Sequence, residues 1–324
     1  MLEILKSKYK LVIIGAIIIL ALIIFLGLSF LVPERGALPE RFIVSIGENK
    51  TQVASDLKSQ EFIKNTLIFD VISIFFGKIN PGGYKISKSE NVWQVVMALS
   101  KNPYMKWVVI PEGLRKEEIA NMLSKTLGWN DTGKKEFIDY ASSQSNYFEG
   151  VYFPDTYLIP IDEAPTDTAK RLIAKFQENF APYAKEAIVQ NIKWTTALKI
   201  ASIIQREAAG KNDMALISGI IWNRLNKNMP LDMDSTLQYV RGDVGQGFWA
   251  SISVSDKKTD SPYNTYLHTG LPPHPISNPG LSAIDAAINP EKTDCFYYLH
   301  DNSGMIHCSN TYSEQQQNVE KYLK

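Results

Sequence analysis

Apolar positions set the outline of the chain before any single residue is considered. From Leu11 to Val32 no charged residue interrupts the sequence, and at about 1.5 Å per residue such a run crosses a hydrocarbon core of about 30 Å. One transmembrane helix is predicted there. Pro33 to Pro39 follows with prolines, a glycine and charges, the composition of a short exposed linker. A unit then recurs. Phe42 to Gly47 is followed by five residues and then by Val53, Ala54 and Leu57, while Trp107 to Gly113 is followed by five residues and then by Ile119, Ala120 and Leu123. A weaker copy runs from Tyr84 to Ser89, then after five residues to Val95, Val96 and Leu99. Each reads as a short strand, a turn and a helix with apolar residues at i, i+1 and i+4. Such units cannot bury a core singly, so they are expected to pack into one or two compact α/β lobes between residues 40 and about 160. Thr51 and Asn91 stand where helix caps are wanted. Glu112 lies in the turn before a helix, where bonding to the backbone is its expected task.

From Asp167 to Gln190 charged and apolar residues alternate at helical spacing. Thr195 is placed to cap the next helix and Gly210 to end it. Another helix is predicted from about Asp213 to Asn226, with Met214, Ile217, Ile221 and Leu225 facing inward. Beyond Asn228 the chain turns rich in Pro, Gly, Asn, Thr and Tyr as far as Pro290, too aromatic for disorder and read as ordered loops walling a cleft. Cys295 to His300 and Met305 to Thr311 then read as two strands joined by the turn Asp301 to Gly304.

Within this outline one carboxylate is out of place. At about 100° per residue, Ile200, Ile203, Ile204 and Glu207 project along one helix face, so an acid points where a core side chain belongs. Desolvation raises the pKa of such a group toward the range in which it holds a proton at neutral pH and gives it to a leaving group, as general-acid glycoside chemistry requires. The bland reading is an acid at the rim of the stripe that reaches water or pairs with a nearby Arg or Lys. Asp234, Thr236, Tyr239, Tyr263, Asn264, Tyr266 and Asn278 lie in the loops that follow and offer the hydroxyls, amides and flat rings that suit sugars. Residues of these types more often satisfy their own turns, and His307, a lone strand histidine, is more often structural than substrate-binding.

Charge changes this picture little. Lys plus Arg and Asp plus Glu both number 34, so no nucleic-acid partner is indicated. Lys6, Lys8 and Lys10 precede the apolar run while Glu34 and Arg35 cancel after it, which places the N-terminus in the cytoplasm and the rest of the chain outside. Ser29-Phe30-Leu31 puts Leu where signal cleavage wants a small residue, so the run is read as a retained anchor. Cys295 and Cys308 are compatible with a disulfide or with two ordinary thiols. The four histidines form no metal motif, and neither a metal nor another cofactor is implied.

Seven segments in order carry a resemblance: V-I-P-E-G at 109 to 113, E-G-V-Y-F-P-D-T-Y at 149 to 157, A-S-I-I-Q-R-E at 201 to 207, I-I-W-N-R-L at 220 to 225, Y-N-T-Y at 263 to 266, G-L-P-P-H-P-I-S-N-P-G at 270 to 280 and H-C-S-N-T at 307 to 311. Together they resemble the MltG (YceG-like) family of membrane-anchored endolytic murein transglycosylases. The resemblance implies an α+β fold: a cytoplasmic N-terminus at 1–10, a single transmembrane helix at 11–32, a linker at 33–39, a LysM-like small α/β lobe at 40–105 and an α+β catalytic region at 106–324. It also implies an essential acid at Glu207, candidate substrate contacts at Asn223, Asp234, Thr236, Tyr263, Asn264, Asn278, His307, Ser309 and Thr311, and cleavage within peptidoglycan glycan strands to leave 1,6-anhydro ends. Partners implied are those strands, the cytoplasmic membrane and cell wall synthases of the penicillin-binding type. Gln205, His274, Cys308 and Gln315 depart from residues common in the family. A hydrolase with two carboxylates, Asp234 being the second, and a silent wall-binding scaffold are the rival readings.

Overall fold

The computed structural model describes residues 2–143 and 148–323. Met1, residues 144–147 and Lys324, together with the side chains of Lys6 and Lys8 used above for orientation, lie outside the described residues. The chain divides into two compact units, Met1–Val108 with Tyr157–Asp162, and Val109–Thr156 with Glu163–Lys324.

The first unit begins with α1 (Leu2–Ser29), in which the window Val12–Ser29 has a mean hydropathy of 3.1, long and apolar enough to cross a membrane by length and composition. The helix stops at Ser29, so Phe30 to Val32 of the anticipated span lie beyond its end. There follow β1 (Glu40–Val44), α2 (Lys50–Ser59), α3 (Thr66–Ser73), β2 (Gly82–Ile86), α4 (Val92–Leu99) and β3 (Met105–Val109). With β4 (Thr156–Pro160) the strands form one sheet in the order β1-β2-β3-β4. β1 and β2 are antiparallel, from Glu40 opposite Ile86 to Val44 opposite Gly82. Val53, Ala54 and Leu57 of α2 and Val95, Val96 and Leu99 of α4 are buried with Phe42, Phe69 and Ile86, because the i, i+1, i+4 spacing gathers them on one helix face. Asn91 caps α4 through a capping box with Gln94, as its position suggests. For α2 the cap is Asn49, with Gln52 closing the box, and Thr51 lies inside the helix.

In the second unit α5 (Lys116–Leu127), α6 (Asp131–Ser143) and α7 (Pro165–Val189) precede α8 (Trp194–Glu207) and α9 (Met214–Asn226). The third recurrent motif is thus divided, its strand β3 lying in the sheet of the first unit and its helix α5 in the second. The loop-rich stretch after Asn228 holds two helices that its composition does not announce, α10 (Asp234–Arg241) and α11 (Leu281–Ile288). The hairpin is β5 (Tyr297–His300) paired antiparallel with β6 (Ile306–Ser309), its turn carrying Gly304 at φ +83°, and α12 (Tyr312–Tyr322) follows. Cys295 and Cys308 are joined in a disulfide.

α8 is enclosed by α7, α9, α10 and α11. Ala197, Leu198, Ile200, Ala201, Ile203 and Ile204 are all buried, which spreads its apolar surface around the helix instead of along one stripe, the mark of a central helix. Lys193, without a side-chain bond, occupies its N-cap in place of Thr195, and extended Ala208 ends it in place of Gly210. On α9, a Cβ at Gly219 would stand 2.2 Å from the Glu291 carbonyl oxygen, so that crossing admits no side chain.

Candidate active site

Because α8 stops at Glu207, the acid leaves the enclosed helix at the moment the backbone turns away. Its side chain is half-buried. Ser235 donates to Oε1 through its hydroxyl at 2.6 Å and its backbone N–H at 3.2 Å, and the Tyr298 hydroxyl donates to Oε2 at 3.1 Å. Ser235 lies in the first turn of α10, so the carboxylate fills a helix N-terminus, where unpaired N–H groups and the helix dipole favour negative charge. Burial acts the other way and is the larger effect. The Glu207 pKa is raised by desolvation, resisted by the Ser235 and Tyr298 donors and assisted by the like charge of Asp234. The acid is therefore held in a fixed orientation and retains its proton to higher pH than an ordinary Glu.

The turn from α8 to α9 is tied by Asp213, whose carboxylate accepts from the N–H groups of Ala209 and Gly210 at 3.0 and 3.1 Å and meets His300 Nε2 at 2.7 Å. Tyr298 and His300 project from the same side of β5, two residues apart, so one short strand supports both the acid and the turn behind it. Asp234 is exposed, accepts a hydrogen bond from the Tyr266 hydroxyl and stands 4.0 Å from Lys257 Nζ. Burial and the neighbouring Asp234 raise the Tyr266 pKa, keeping it a donor. Arg206, next to the acid, stacks on Trp249 at 3.9 Å, and the Trp249 N–H donates to Glu118. Among the described residues no three His, Cys, Asp or Glu side chains gather as a metal site would need.

The remaining sequence candidates take up the protein's own hydrogen bonds. Thr236, Asn264 and Asn278 are fully buried. Thr236 bonds the Met233 carbonyl and Thr265, Asn264 gives its amide to the carbonyls of Lys257 and Thr259, and Asn278 joins the Leu114 carbonyl, Glu149 and the Tyr152 N–H. Asn223 holds the carbonyls of Thr293 and Cys295. Tyr263 packs on Tyr239, burial pushing its hydroxyl up to about 12. His307 bonds Asp301 and stacks on Tyr322, Ser309 bonds Gln315, and Thr311 caps α12. Asp234 and Thr236 flank Ser235, the partner of Glu207, and the charge of Asp234 acts on that acid.

Sequence reasoning gave no role here to Ser235, Tyr298 or two buried acids, Asp213 and Glu149. Glu149 accepts from the Lys116 N–H at 3.1 Å and the Asn278 amide at 2.8 Å, and burial raises its pKa to about 7. Through Asn278 it fixes the segment that runs along α8, where the Ile276 N–H bonds Ser202 Oγ and the Gly280 N–H bonds Gln205. The segments at 109–113, 149–157, 201–207 and 270–280 meet here, and the alternation of Tyr298 with His300 was the readable signal for the strand partners.

A single oriented acid with a raised pKa at the end of a core helix has the geometry that general-acid chemistry asks for. The chain belongs to the YceG-like family, whose model matches residues 42–321. It is 29% identical over 304 residues to an endolytic murein transglycosylase of Bacillus subtilis, covering 86% of this chain and 83% of that one. To an endolytic murein transglycosylase of Streptococcus pneumoniae it is 27% identical over 314 residues, 86% of this chain and 57% of the relative, so it spans little more than half of that protein. A crystal structure of a YceG-like protein from Listeria monocytogenes is similar with a TM-score of 0.60 at 26% identity, covering 87% of this chain and 99% of that one.

Proposed function

We propose that this chain is an endolytic lytic transglycosylase that cuts peptidoglycan between N-acetylmuramic acid and N-acetylglucosamine, trimming or terminating strands during wall synthesis beside synthases of the penicillin-binding type. The observation that carries the reading is Glu207 itself, raised in pKa and held by Ser235 and Tyr298, in a family whose curated relatives are named endolytic murein transglycosylases. Glu207 gives its proton to the glycosidic oxygen as the C1–O bond breaks, then takes the proton of the muramyl 6-hydroxyl as that oxygen closes on C1. Water does not enter, and the acid is regenerated. One carboxylate suffices because the nucleophile belongs to the substrate, whereas ordinary glycosidases need two. Asp234, exposed and engaged by Tyr266, is assigned to the cleft wall.

The same reading takes α1 as a single membrane anchor with the N-terminus cytoplasmic and the catalytic region outside, and residues 40–105 as a LysM-like lobe. The test is Glu207→Gln, which keeps the shape but has no proton to give, combined with mass spectrometry of glycan digested in heavy-oxygen water. Unlabelled 1,6-anhydromuramyl ends from the wild type, and none from the variant, are expected. A folded Gln variant with near-wild-type turnover would refute the role of Glu207. Labelled reducing ends would move Asp234 from wall to catalyst.

A further inference from the structure

The first unit carries an apolar surface that its own core does not explain. On α3, Ile68, Phe69 and Ile72 face the core, as an amphipathic helix requires. Its other side is apolar as well. Leu67 is 71% exposed and Val71 43%, one turn apart on the helix, and in the turn that follows Ser73, Ile74 is 74% and Phe75 76% exposed. Asp70, half-buried, stands between this face and the core face of α3.

This face adjoins the end of the apolar helix. α3 packs against α1, Phe25 of α1 packs on the core of the unit, and Ser29, the last residue of α1, is buried where the Trp93 ring N–H donates to its hydroxyl at 2.9 Å. Phe76, directly after the exposed pair, meets Trp93 edge to face at 6.3 Å. Met97, one turn beyond Trp93 on α4, is exposed. A tryptophan at the mouth of an apolar helix, with its N–H engaged and exposed hydrophobes around it, has the composition of a membrane interface. Cations frame it. Lys50 Nζ donates to the Ser73 carbonyl at the end of α3, and Lys58, Lys64 and Lys88 surround Pro33 just past α1, with Glu34 and Glu61 among them.

We propose that this face of the first unit lies in the headgroup region of the bilayer that α1 crosses, so that α3 and the Trp93 surface hold the small lobe on the membrane. The proposal rests on reading α1 as an anchor. The occupant is lipid because the face is continuous with a helix whose own surroundings are hydrocarbon, and because lysines, the partners of phosphate, border it.

The test uses the full chain in vesicles of phosphatidylethanolamine and phosphatidylglycerol, with a nitroxide placed singly through Leu67→Cys, Phe75→Cys, Ile46→Cys or Leu20→Cys; the native cysteines are already paired. Accessibility to oxygen against a water-soluble nickel chelate reports depth. Labels at 67 and 75 are expected about 5–10 Å below the headgroup boundary, the depth of an interfacial apolar face, with 46 open to water and 20 at the bilayer centre. Labels at 67 and 75 as open to the chelate as 46, with 20 still at the centre, would overturn the docked face and leave the anchor standing. A water-exposed label at 20 would remove the anchor and the proposal together. Shielding at 67 and 75 accompanied by spin–spin broadening that vanishes on dilution with unlabelled chain would show that a second copy covers the face, which also overturns it.

Discussion

Ser235→Ala is expected to move the alkaline limb of the pH–activity profile upward. The Ser235 hydroxyl donates at 2.6 Å to Glu207 Oε1, and a donor to a carboxylate stabilises the charged form and lowers the pKa. Removing it takes away a charge-assisted bond worth about 1.5–3 kcal/mol net, and at 1.36 kcal/mol per pKa unit this is roughly one to two units. The Ser235 N–H at 3.2 Å and the Tyr298 hydroxyl at 3.1 Å remain, so the lower end, about one unit, is expected. The sign follows from the role. A general acid works while protonated, so activity falls as pH rises through its pKa, and a higher pKa carries activity further into alkali. The measurement is kcat/KM for anhydromuramyl product across pH 5 to 9, which reports the free enzyme, with circular dichroism to confirm the fold. A limb that stays in place would show that the Ser235 hydroxyl does not stabilise the charged acid, and one that moves down that it accepts a hydrogen bond from the neutral acid instead.

Glu149 extends the pH argument to stability. With its pKa raised from 4.5 to about 7, the folded state holds a proton the unfolded state has lost, so stability falls as pH rises from about 4.5 to about 7, by about 3 kcal/mol at most. Glu149→Gln should flatten this dependence, and urea unfolding of the detergent-solubilised chain at pH 5 and pH 8 measures it; an unchanged slope would refute the assignment. Gly219→Ala sets a Cβ 2.2 Å from the Glu291 carbonyl and should cost about 1–3 kcal/mol as an overpacking change, seen as a lower midpoint in the same titration. Opening the Cys295–Cys308 disulfide, which spans 13 positions, with the double change to Ser should cost about 3 kcal/mol on the loop-entropy account. Since Tyr298 lies inside that loop, turnover at elevated temperature should fall with it, and equal thermal inactivation of both forms would argue against the link.

What the sequence makes legible is what local periodicity controls. The i, i+1, i+4 triplets of α2, α4 and α5 are all buried as their spacing requires, and the hairpin turns where Asp-Asn-Ser-Gly permits it. Caps were harder, because Asn49 and Thr51 are equally good cap residues by type and only the start of the helix decides between them. α10 escaped notice because its eight residues sit between Pro230 and Gly242 in turn-rich sequence, and burial of Leu237 and Tyr239 holds them helical. Glu207 was visible from its apolar neighbours. Its partners were not, lying 28 and 91 residues further along the chain. Asn264 and Asn278 show the opposite difficulty, since an amide that ties a loop and one that binds a sugar have the same sequence signature.

The enclosure of α8 has a mechanical consequence. The helix is a rod of about 20 Å, gripped along its length by buried side chains, with Glu207 at its last residue. Ala197 and Ala201 on it, and Ala283 and Ala287 on α11, which packs against it, are all fully buried. A larger side chain at any of them overpacks the core and shifts its neighbours, and catalysis is sensitive to small misplacements of a reacting group. Turnover thus becomes a gauge of packing several turns away, and slow variants of this protein should be sought among buried alanines as readily as around the carboxylate.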